Sequence, residues 1–139
     1  MTGYRSEFFR YNCDERSCYY KQLPKWDDLI GCFPRGIRPT DVDGMVEING
    51  NFLFLEEKGA GVPLPPGQRS ALRKLSRRPG ITVAFFRPPG LRTATDLECL
   101  VFNQKPAEGW KQVGREGFKD WLREWAWNAD RHAAGEDAA

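Results

Sequence analysis

The apolar and polar positions along the chain fall into short blocks separated by strong turn signals. The clearest pair is "GMVEI" and "NFLFLEE", which flank Asn49-Gly50. An Asn-Gly pair supplies the positive φ that a type I′ turn needs at both central residues, so the pair predicts a β-hairpin. With a two-residue loop the register follows. Ile48 faces Asn51, Glu47 faces Phe52, Val46 faces Leu53, Met45 faces Phe54 and Gly44 faces Leu55. One step further Asp43 faces Glu56, and beyond that Asp41 lies opposite Lys58. Residues two apart share a face of a strand. Asp43, Glu56 and Lys58 are therefore expected on one face.

The remaining blocks predict the other elements. "EFFRYNCDERSCYYKQL" reads as two aromatic-rich strands about a "DERS" turn. "PKWDDLIGCF" reads as one short helix, with Pro at its first position and Gly31 near its end. "PRGIRP" and "GAGVPLPPG" are loops. "GQRSALRKLSRR" is a helix stopped by Pro79-Gly80, with Gln68, Ala71, Leu72 and Leu75 on one face. "ITVAFFR" is apolar throughout, as a buried central strand is. After a "RPPGLRT" turn, "TDLECLVFN" is a further strand. Residues 115–132 form an amphipathic helix with Phe118, Trp121, Leu122 and Trp125 at helical spacing, and 133–139 a frayed tail. Hairpin, helix and strand in this order predict an α/β fold, a mixed central sheet with flanking helices. With no interdomain linker in view, residues 1–139 are expected to form a single domain.

Composition narrows the class. At 139 residues, with 40% hydrophobic and 29% charged residues, the chain has the make-up of a globular domain. No apolar run approaches the roughly 20 residues of a membrane span, and "MTGYRSEFFRYN" lacks a signal-peptide core. A cytoplasmic protein with reduced thiols is expected, without membrane partners. The net charge is +2, but it is unevenly spread. From Pro34 to Arg92 ten Lys or Arg stand against five Asp or Glu, whereas from Thr93 onward six stand against nine. The acidic cluster thus lies in the basic part of the chain, an arrangement suited to a phosphate backbone.

Two acids facing one another destabilise a hairpin unless something compensates. A hard divalent cation does so, since Mg²⁺ favours carboxylate oxygen. Lys58 falls beside the same site and could stabilise a phosphate or orient an attacking water. For Glu56-Glu57-Lys58 alone, a surface ion pair is the simpler reading.

An acid in "PTDVDG", a hairpin, and then "FLEEK" resembles the PD-(D/E)xK nuclease superfamily. Asp43 matches the family's first acid, and Glu56 and Lys58 match its acid-x-Lys. "GQRSAL" is similar to the Gln-bearing helix of the RecB-like and Holliday-junction-resolvase-like branches. The likeness covers roughly Arg35 to Phe86, within a core motif region of 34–103. It implies a restriction-endonuclease-like core whose hairpin is catalytic. It also implies a Mg²⁺- or Mn²⁺-dependent endo- or exonuclease acting on phosphodiester bonds, with DNA as the expected substrate. Asp43, Glu56, Lys58 and Gln68 would be catalytic, and Asp43, Glu56 and the backbone carbonyl of Glu57 would hold the metal. The family's upstream acid has three candidates here: Glu7, Asp27 and Asp28.

Several residues admit two readings. Asp41 is an accessory acid or a partner for Lys58. Gln68 reaches the site or caps a backbone group. Arg69, Arg73 and Arg77 recur every four residues, as a nucleic-acid-binding stripe or as a solvated helix face. Cys13 and Cys18 are spaced like half a zinc site, but Cys32, Cys99 and the lone His132 supply no second pair, which argues against zinc. The single His also argues against His-driven catalysis. A chain of this size leaves specificity to loops, to a partner or to a homodimer. The alternative function is a non-catalytic nucleic-acid-binding or regulatory module that keeps the nuclease fold.

Overall fold

The structure, a computed structural model, describes residues 26–29, 31–59, 61–87 and 96–134. Contacts divide the chain into two compact units, Met1–Asp41 and Val42–Ala139. The predicted "DERS" hairpin lies outside the described residues. Of the predicted helix, the described residues show a 3₁₀ turn at Asp27–Leu29, and a second such turn occupies Pro34–Gly36 within the predicted loop. Arg35 there has φ 58, which ends the turn after three residues.

The second unit is a mixed α/β fold. Its elements are β1 (Gly44–Ile48), β2 (Asn51–Glu57), α1 (Pro66–Ser76), β3 (Ile81–Arg87), β4 (Glu98–Phe102), β5 (Lys111–Gln112) and α2 (Gly114–Arg131). The strands form one sheet in the order β1-β2-β3-β4-β5, in which β2 and β3 are parallel and the other pairs antiparallel. Two polar residues make up β5, which no hydrophobic period announces.

The hairpin has the predicted register at all five pairs, from Gly44 with Leu55 to Ile48 with Asn51. Asn49 (φ 55) and Gly50 (φ 80) adopt the left-handed conformation of the I′ turn. Glu47 reinforces it by accepting the Gly50 N–H at 2.7 Å. Asn51 donates to the His132 carbonyl at 2.7 Å, and Asn49 donates to the Ala129 carbonyl at 3.3 Å. These carbonyls belong to the C-terminal end of α2, where the helix leaves acceptors unused. The turn of the hairpin is thereby tied down, at the end opposite its two facing acids.

Pro66 opens α1, where its missing N–H costs nothing. The helix stops at Ser76, two residues before the predicted end, and Gly80 (φ 78) turns the chain into β3. A Cβ at Gly80 would lie 2.7 Å from that of Ala134, so only glycine fits. Leu72, Leu75 and Ser76 face the sheet, whereas Ala71, expected on that face, is exposed.

Alternation along the strands gives the sheet two apolar faces. On one, Val83, Phe85, Leu100 and Phe102 pack with Leu72 of α1, and Phe85 meets Phe102 edge-to-face at 5.2 Å. Phe54, Glu56 and Lys58 of β2 belong to this face. On the other, Phe86 packs against Phe118 of α2 at 5.0 Å. No helix among the described residues is long and apolar enough to cross a membrane.

Candidate active site

Glu56 is the most unusual residue of the fold. It lies on the interior strand β2, beside Phe85 of the central strand β3, and is only 1% exposed. Removing a carboxylate from water is costly unless it is paired or neutral. Here both apply. Its Oε2 lies 3.8 Å from Lys58 Nζ and 3.4 Å from Gln68 Nε2. Its Oε1 lies 3.4 Å from the backbone N–H of Asp43. Burial, and then the negative charge of Asp43, push its carboxyl from 4.5 up to about 7, against the opposing pull of Lys58.

Asp43 sits just before β1, one step past the Gly44–Leu55 pair, and is exposed. Its Oδ2 accepts the backbone N–H of Glu57 at 2.8 Å. One acid is thus at the surface and its neighbour lies beneath it. The peptide of Glu57 is held against Asp43.

Two positions along β2 from Glu56, Lys58 keeps the pleat and shares its face. The backbone N–H of Lys58 continues the parallel ladder to the Phe86 carbonyl at 2.9 Å. Its ammonium donates to Gln68 Oε1 at 2.6 Å. Gln68 lies in the first turn of α1, so the helix that covers this face brings the amide to the site. Its amide lies beside Lys58 and Glu56. Gln68 joins lysine and acid at once, accepting from one and donating to the other.

Asp43, Glu56, Lys58 and Gln68 therefore converge. Arg73 is half-buried, donating to the carbonyls of Asn103 at 2.8 Å and Lys105 at 3.0 Å and lying over the Phe102 ring at 5.2 Å. Arg69 and Arg77 are exposed on α1. In the first unit Asp41 accepts the indole N–H of Trp26 at 3.0 Å, while Asp27 and Asp28 are exposed. Glu7 is outside the described residues. Cys99 is buried on β4, where burial pushes its thiol up to about 12, and Cys32 is exposed. Sequence reasoning did not anticipate the two backbone N–H groups of Asp43 and Glu57. They carry no side-chain signal, and only the end of the hairpin ladder reveals them.

The donor set suits a hard cation. Two carboxylates and the adjacent Glu57 carbonyl are all oxygen, and the ion would relieve the charge of the facing acids. No third His, Cys, Asp or Glu side chain joins them among the described residues. No protein-family model, curated protein or solved structure matches the chain.

Proposed function

We propose that the chain is a metal-dependent nuclease of the PD-(D/E)xK type, built on a restriction-endonuclease-like core and hydrolysing phosphodiester bonds of DNA. The observation that carries this reading is the burial of Glu56 beneath Asp43, with Lys58 and Gln68 closing on it. A structural hairpin has no need to bury an acid against another acid. A site that captures a cation does.

In this reading Asp43, Glu56 and the Glu57 carbonyl hold Mg²⁺ or Mn²⁺. The ion supplies Lewis-acid activation of the phosphate and lowers the pKa of water. Lys58 places a positive charge where the phosphate gains negative charge, and orients the attacking water. Gln68, bonded to the ammonium at 2.6 Å, fixes the direction of that charge. The exposed Arg69 and Arg77 hold the nucleic-acid backbone.

A second reading, a non-catalytic module on the same fold, draws on one observation. Every buried side-chain polar atom among the described residues already has a hydrogen-bond partner, so none of the cluster's buried groups needs a metal for its hydrogen bonding. Incubating the protein with linear, circular, branched and single-stranded substrates in Mg²⁺, Mn²⁺ or EDTA separates the two. Cleavage that needs the metal and is lost in Glu56→Ala supports the nuclease. Cleavage undiminished in that variant overturns it.

A further inference from the structure

On the sheet face opposite the acids, a cavity of about 250 Å³ opens between β4, the segment after it and α2. Cys99 and Val101 form its floor, and Phe118 and Trp121 form one wall. The two rings are parallel and stacked, with an interplanar angle of 4° and centroids 6.3 Å apart, so Phe118 backs Trp121. The segment 103–113 leaves the sheet through Pro106 and Gly109 and returns only at the short β5. That detour keeps it from filling the space. Elsewhere an apolar cavity of about 150 Å³ accepts benzene, so this one has room for a fused bicyclic ring.

The rim is charged. Lys111 pairs with Cys99 across the β4–β5 ladder, which places it beside the floor on the same face of the sheet. Its ammonium bonds Glu108, and Lys105 also lines the opening. Glu108 therefore lies in the field of two lysines, which hold its carboxyl below the usual carboxylate range. One acid between two lysines leaves one positive charge uncompensated. Glu108 itself is exposed and occupies the position an incoming anion would take.

We propose that this cavity binds a small aromatic anion, a flat ring seated against Trp121 whose acidic group is taken by Lys105 and Lys111. The site makes no use of the acid pair and stands apart from the nuclease reading.

The test uses the full chain and two probes, indole and indole-3-acetate, followed by isothermal titration calorimetry. Indole-3-acetate should bind about fivefold more tightly at low salt, the upper end expected of an exposed ion pair. Adding salt should close the gap. Glu108→Gln removes the competing carboxylate from an exposed position, so it should raise affinity for indole-3-acetate and leave indole unchanged. Val101→Phe fills the floor and should abolish binding of both probes. No binding of either probe, or equal binding of both in wild type and Glu108→Gln, overturns the proposal. The Glu108→Gln arm decides the matter even if Val101→Phe fails to fold.

Discussion

Asp43 covers Glu56: its backbone N–H lies 3.4 Å from Glu56 Oε1, and its carboxylate is tied by the Glu57 N–H at 2.8 Å. The surface acid is fixed by backbone and the buried acid is pressed against it. Charge on the buried acid is therefore expensive, and that expense is measurable as stability.

The sign follows from linkage. Folding raises the Glu56 carboxyl from 4.5 to about 7. Between those values the folded chain holds a proton that the unfolded chain has lost. Stability must then fall as pH rises through that window, and level off above it. A shift of this size corresponds to a loss on the order of 3 kcal/mol. Glu56→Gln cannot ionise. In EDTA it should be more stable than wild type at pH 8 and close to it at pH 4.5. Urea denaturation at the two pH values checks this, and a variant no more stable than wild type at pH 8 would rule out the buried, strained acid.

The hairpin was legible in the sequence because Asn49-Gly50 permits one turn geometry, and that turn determines every pair up to Gly44 and Leu55. The buried strand β3 was legible as an unbroken apolar run. Other features depend on contacts that no local pattern encodes. Glu56 is buried beside Phe85 on the neighbouring strand and Gln68 at the start of α1. Arg69, Arg73 and Arg77 look equivalent by spacing, yet Arg73 alone reaches the carbonyls after β4. The strand β5 has two polar residues and no period, and the stretch after Pro24 carried helix signals where the described residues show a 3₁₀ turn.

The three arginines should consequently separate by experiment. Arg73→Ala removes hydrogen bonds to two carbonyls and a contact with Phe102, and should cost about 1–3 kcal/mol of stability. Arg69→Ala and Arg77→Ala should leave stability within about 0.5 kcal/mol, as exposed positions do. They should instead weaken DNA binding uniformly across sequences and reduce its salt dependence. Thermal melts and fluorescence anisotropy on the same three variants distinguish these roles. If Arg73→Ala melted with wild type, its bonds to the β4 exit would contribute nothing.

The site variants test the chemistry. Asp43→Ala, Glu56→Ala and Lys58→Ala should each lower cleavage by at least about 10²-fold, the scale of losing one stabiliser of transition-state charge. Gln68→Ala should lower it less, since Lys58 keeps its charge and loses only its guide. Asp41→Ala should have the smallest effect, because its carboxylate is bound to Trp26. Single-turnover rates with circular-dichroism spectra of each variant provide the measurement. Loss of activity with loss of fold would count against the assignment.

Divalent-ion dependence of binding separates enzyme from binding module. Without metal, a phosphate approaching the site meets the exposed Asp43, with Glu56 half ionised beneath it near neutral pH. With a divalent ion the local charge inverts and phosphate becomes a ligand. Ca²⁺, which supports coordination, should tighten DNA binding relative to EDTA at fixed ionic strength. The Asp43→Asn/Glu56→Gln double variant should lose that response, and should bind at least as well as wild type in EDTA because the repulsion is gone. Because the ion must displace the proton of Glu56, the Ca²⁺ effect should grow as pH rises from about 6 to about 8. A binding module would rely on Arg69 and Arg77, and its affinity would follow ionic strength alone. Affinity curves in Ca²⁺ and EDTA at both pH values settle the choice. If neither protein responds to Ca²⁺ and no substrate is cut, the module is the correct reading.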